Sequence, residues 1–169
     1  LAEAGWRLRL DRTIVVPTGQ AWHKDSSGAP SGPVRLSLAE AAFGGEEQLE
    51  VSATEVNREG PSYTCDTLEE IQQADPDSQI YLLLGADAAL GLANWHRPER
   101  VLELARVAVA PRSEFAREAV ASVFEELGGE DLIEFFEMPG VDVSSTLVRQ
   151  RIEAGLPWKH LVPHAVAEM

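Results

Sequence analysis

The sequence predicts a doubly wound α/β domain on a mostly parallel sheet, and three observations predict it. Short apolar runs alternate with helical patterns along the whole chain, the arrangement that packs helices on both faces of a sheet. Gln79 to Leu84 (QIYLLL) is almost continuously apolar, as in a strand covered on both sides. The loops richest in Gly, Ser, Asp and Lys all follow strands, which gathers them on the rim where such sheets bind ligands. With 169 residues, 44% hydrophobic and 25% charged, the chain suffices for one domain with a substantial core.

Taken in order, Leu1 to Leu10 reads as the second half of a helix. Thr13 to Val16 is a short strand stopped by Pro17, and a Gly-, Ser- and Pro-rich loop follows to Pro33, with Lys24 near its middle. Pro33 to Phe43 is helical, and Leu49 to Val56 (LEVSATEV) alternates like a half-buried strand. Ser62-Tyr63-Thr64 introduces a helix over Asp66 to Gln73. After the Gln79 strand come Gly85-Ala86-Asp87, a short helical segment, and a helix from Pro98 to Ala105. Arg106 to Ala110 is a buried strand halted by Pro111-Arg112. Phe115, Ala119, Val120, Val123, Phe124 and Leu127 recur at helical spacing as a core stripe. Leu132 to Phe136 is a last strand before a helix starting at Ser144, and Pro163 to Met169 begins a final helix.

Composition excludes several classes. Fourteen Lys+Arg against 28 Asp+Glu give a net charge of −14, a field that repels nucleic acid. No apolar run approaches a membrane span, and no signal peptide is visible. Cys65 is the sole cysteine, so an intramolecular disulfide is excluded and a cytoplasmic setting is expected. His23, His96, His160 and His164 show no metal-ligand spacing, and no protein-bound metal is expected. Nucleophile-elbow, P-loop and dinucleotide-fingerprint motifs are absent. The oligomeric state is open, a homo-oligomer included.

Four segments carry candidate chemistry. Asp142, Ser144, Ser145 and Thr146 precede a helix with Arg149 one turn in; its free N–H groups, three hydroxyls and a guanidinium suit a polyphosphate, or simply an ordinary capped helix. Gly85 lets a ligand approach the backbone and Asp87 can accept from ribose hydroxyls, or Asp87 is a plain N-cap. Around Tyr63, Thr64, Asp66 and Thr67 a second helix start suits an anion, or is a capping arrangement with a packed tyrosine. Trp95, beside His96, offers a stacking face for a heterocycle or pins its loop to the core. Trp6, Trp22 and Trp158 are read as structural.

These pieces, in this order, resemble the bacterial nicotinate-nucleotide adenylyltransferase family. The resemblance rests on Val15-Val16-Pro17 leading to Lys24, Pro61 to Leu68 (PSYTCDTL), Leu84-Gly85-Ala86-Asp87, and Trp95 before Glu103-Leu104-Ala105. Val109-Ala110-Pro111-Arg112, Val143-Ser144-Ser145-Thr146 with Arg149, and Leu161-Val162-Pro163 complete it. It implies a Rossmann-like fold of the nucleotidyltransferase type over residues 1–169, and adenylyl transfer from ATP to nicotinate mononucleotide, with Mg²⁺ brought by ATP. By the same resemblance Ser144, Ser145, Thr146, Arg149, Lys24 and Arg112 meet the phosphates, and Gly85 and Asp87 the ribose side. Tyr63, Thr64, Asp66, Thr67, Trp95 and His96 meet the pyridine mononucleotide.

The family's His-x-Gly-His segment would lie upstream of Leu1, so the catalytic histidines and a central strand are expected there. The 169 residues alone are then expected to catalyse little. Ala21-Trp22-His23-Lys24 also departs from the prolines many members carry before the lysine. Three other readings remain: a different acceptor (nicotinamide mononucleotide or phosphopantetheine), a non-catalytic nucleotide-binding module, and a structural α/β domain whose motifs are all caps or core contacts.

Overall fold

A computed structural model describes residues 1–20, 30–111, 113–140 and 142–169. Lys24, Trp22, His23 and Arg112 therefore lie outside the described residues. The chain forms two compact units, one of Leu1–Leu10 with Ser62–Met138, the other of Asp11–Pro61 with Pro139–Met169.

The first unit is a three-stranded parallel sheet with helices between its strands. Its elements are α1 (Ala2–Leu8), and, after the segment belonging to the other unit, a helix at Thr64–Ala74, a strand at Ile80–Gly85, a helix at Ala86–Leu90 and a helix at Pro98–Leu104. A strand at Ala105–Ala110, a helix at Glu114–Glu126 and a strand at Ile133–Phe135 complete it. In the second unit the elements are β1 (Thr13–Val15), α2 (Gly32–Phe43), β2 (Leu49–Val51), α3 (Thr54–Asn57), a helix at Ser145–Glu153 and a short one at His164–Ala167. Numbered in chain order, the remaining strands are β3 to β5 and the remaining helices α4 to α9.

Among the described residues every strand pair is parallel, as the alternation of elements requires. β4 is central in the order β3-β4-β5, and Gly85 stands opposite Ala110, so β3 and β4 end level. Ala105, Val107, Ala108 and Val109 of β4 are all buried. Successive strand residues face opposite ways, so β4 is covered on both sides. β3, at the sheet's edge, leaves Ile80 to Leu84 only half-buried.

The core lies in this unit: Cys65, Leu68, Leu92, Val101, Leu102, Val120 and Phe124 pack with Val107 and Val109. Ser113 caps α7, its Oγ accepting from the Ala116 N–H at 3.2 Å. At the other end Gly128 (φ 66°) turns the chain left-handed, and the Gly129 N–H donates to the Phe124 carbonyl at 2.8 Å. That closure satisfies carbonyls a helix end leaves open.

In the second unit β1, α2 and β2 make a β-α-β crossover, with Thr13 opposite Leu49 and Val15 opposite Val51. Arg35 of α2 donates to the carbonyls of Thr18, Gly19 and Pro30.

Three expectations need correction. The strand read over Leu49 to Val56 ends at Val51, and Thr54–Asn57 is helical. Ser52 Oγ hydrogen-bonds Thr54 Oγ1 at 2.8 Å and accepts from the Thr54 N–H at 3.3 Å, a local alternative to the ladder. Trp6 is 77% exposed rather than packed: α1 buries Ala4, and two residues on is roughly 200° around the helix. Phe115 is 80% exposed, because α7 turns Val120 and Phe124 inward and Phe115 lies roughly 180° from Phe124.

Candidate functional site

The first unit contains the start of α4. Tyr63 is the N-cap residue in extended backbone (φ −109°, ψ 135°), and no side chain caps the helix. Tyr63 packs against the core, as the capping alternative expected, but it supplies no capping hydrogen bond. Tyr63 stacks on His96, ring centroids 4.1 Å apart at 31°. Thr64 is half-buried, while Thr67 is buried with its N–H donating to the Tyr63 carbonyl at 3.2 Å. Trp95 is half-buried and packs on the core, so it does pin its loop. The structure thus brings Tyr63 and His96 together at the first turn of α4.

Asp66 is in that first turn too, and it has a partner the sequence reading missed. Arg97, in left-handed backbone (φ 53°, ψ 59°) before Pro98, holds Nη1 4.0 Å from Asp66 and Nη2 3.4 Å from Glu69. Arg100 adds its Nε at 2.7 Å from Glu69 and Nη1 at 2.8 Å from Glu103, linking α4 to α6. The Arg100 hydrogen bond holds the Glu69 carboxyl below its ordinary range. The i,i+3 spacing of Arg100 and Glu103 was a signal in the sequence, whereas the left-handed backbone of Arg97 is read only from coordinates.

Gly85 ends β3 as the N-cap of α5 (φ −76°, ψ 159°), and a methyl group added to it would meet nothing within 4 Å. Asp87 is exposed in the first turn and caps nothing, so its N-cap reading is set aside.

In the second unit Ser144 caps α8: its Oγ accepts from the Leu147 N–H at 3.1 Å, leaving the hydroxyl proton free to donate. Ser145 and Thr146 follow as exposed first-turn residues. Arg149 is exposed, and among the described residues it makes no ion pair. Arg151 instead donates to the Pro157 carbonyl at 2.6 Å. A concavity of about 520 Å³ along Gly155 to His160 is lined by none of the predicted site residues.

With both helix starts described, the match to the cytidylyltransferase-like family over residues 3–151 is decisive. The chain belongs to that family. Its relatives include proteins named probable nicotinate-nucleotide adenylyltransferase from Dehalococcoides mccartyi (36% identical, 95% of this chain and 80% of the relative) and Albidiferax ferrireducens (38%, with 95% and 80% covered). One of the same name from Saccharopolyspora erythraea is 32% identical over 99% of this chain and 76% of its own. This family member is a nucleotidyltransferase of mixed α/β fold. Among its described residues no helix is long and apolar enough to cross a membrane.

Cys65 lies within the PSYTCDTL segment but is fully buried, donating to Asp66 at 3.4 Å. Burial first, then the Asp66 hydrogen bond and charge, push the thiol above its ordinary range. Labelling with a thiol reagent near pH 7.5 is therefore expected to run at least about 100-fold slower in the native protein than in the urea-unfolded chain. Equal rates would show that the start of α4 opens readily.

Proposed function

We propose that this chain transfers the adenylyl group of ATP to nicotinate mononucleotide, giving deamido-NAD and pyrophosphate. The observation that carries the proposal is near full-length similarity to proteins of that name. The mononucleotide phosphate oxygen attacks the α-phosphorus in line, the bond to the β-phosphate oxygen breaks, and pyrophosphate leaves. No protein nucleophile is needed; positioning and charge neutralisation do the work.

In this reading Ser144, Ser145, Thr146 and Arg149 hold ATP phosphates, aided by Lys24 and Arg112. Gly85 and Asp87 accept the ribose side. Tyr63, Thr64 and Thr67, with Trp95 and His96, receive the pyridine and its carboxylate, and Asp66 borders that carboxylate. Mg²⁺ enters with the triphosphate as part of the substrate.

One observation favours a neutral acceptor instead. Asp66 puts a carboxylate in the first turn of α4, where nicotinate's carboxylate would sit. Pyrophosphate release, measured with ATP and each mononucleotide, decides between them. Faster turnover with nicotinate mononucleotide supports the proposal. Preference for nicotinamide mononucleotide moves the assignment to that acceptor, and ATP binding without pyrophosphate overturns the enzymatic reading.

A further inference from the structure

We infer that Arg97 is a positioning residue that cancels the charge of Asp66 and thereby lets the start of α4 prefer an anionic pyridine over its amide. The inference rests on the proposed adenylyl transfer and names what sets acceptor choice within it. Three observations carry it.

First, Arg97 is the basic residue that pairs with Asp66. Arg100 is already held by Glu69 at 2.7 Å and Glu103 at 2.8 Å, whereas Arg97 reaches 4.0 Å from Asp66 and 3.4 Å from Glu69. Three carboxylates (Asp66, Glu69, Glu103) against two guanidiniums leave this cluster one negative charge in excess. Without Arg97 the excess doubles, and Asp66 stands uncompensated in the first turn of α4. An arriving carboxylate would then meet a like charge, while a neutral amide would be indifferent.

Second, the backbone of Arg97 is left-handed (φ 53°), a conformation that favours glycine and is costly for a residue with a Cβ. It puts the guanidinium against α4 directly after His96, whose ring stacks on Tyr63. Third, the Arg97 side chain is 49% exposed, so its charge faces the same solvent from which an acceptor arrives.

The test compares kcat/KM for nicotinate and nicotinamide mononucleotides in pyrophosphate release. Taking the ratio within one preparation removes any change in folded fraction. Arg97→Gly keeps the left-handed backbone and deletes the charge; it is expected to lower the acid-to-amide ratio about tenfold, through KM for the acid. Arg97→Lys should keep the ratio within about threefold of the parent. Arg97→Gly combined with Asp66→Asn should restore most of it, since nothing is left to cancel. A ratio unchanged in Arg97→Gly, or a double variant no better than the single, overturns the inference while leaving the proposed reaction intact. A parent that does not prefer the acid overturns the reaction's acceptor, and the role of Arg97 falls with it.

Discussion

Replacing Arg149 with alanine is expected to lower kcat/KM for ATP in pyrophosphate release about 10²–10³-fold, the cost of deleting one donor to developing phosphate charge. Arg149 is exposed on α8, one turn past the Ser144 cap, and among the described residues no carboxylate holds it. Its side chain is therefore available to a ligand, and truncating it breaks no ion pair within that set. Alanine is the strongest helix former, so α8 should persist and circular dichroism should not change. Lysine at the same position retains a charge but not the planar fork, and should recover only part of the loss. Gln150→Ala, a neighbouring exposed change, is the control. If Arg149→Ala reacts within about threefold of the parent, phosphate binding at the start of α8 is wrong.

Phe124→Ala is expected to destabilise the protein by about 3–5 kcal/mol, measured by urea unfolding. Phe124 is fully buried among Leu102, Val120 and the residues of β4, and its carbonyl receives the Gly129 N–H that closes α7. Removing the ring takes away a large apolar surface and leaves a cavity that packed β-strand neighbours cannot fill. Phe115, in the same helix and 80% exposed, provides the contrast: Phe115→Ala should change stability by less than about 0.5 kcal/mol. Similar losses at both positions would mean that α7 does not present the face seen here.

Much of this was legible in the chain. Helix and strand alternation required parallel pairing, and β1 to β5 pair only that way. Pro17, Pro98 and Pro111 marked boundaries because a ring without an N–H cannot continue a ladder or a helix interior. Ser144 was readable as a cap from its residue type alone, and it accepts from the Leu147 N–H. The order of short motifs was enough to suggest the family, since motif order is a property of sequence.

What the chain alone could not disclose is which way side chains turn and whom they meet. Trp6 and Phe115 are apolar and sit in helices, yet burial depends on a helix's rotation against its neighbours, which hydropathy reports only as an average. LEVSATEV alternates like a strand, but two hydroxyl hydrogen bonds at Ser52 stop it after Val51.

The sequence by itself thus determined the order of the strands, the parallel class and the helix start at Ser144, because periodicity and capping act over a few residues. Only the tertiary structure decided that Asp66 faces Arg97 from thirty-one positions away, that Cys65 is sealed and that Asp87 caps nothing. Charge pairing and burial depend on distances in space, and those are fixed only when the elements pack.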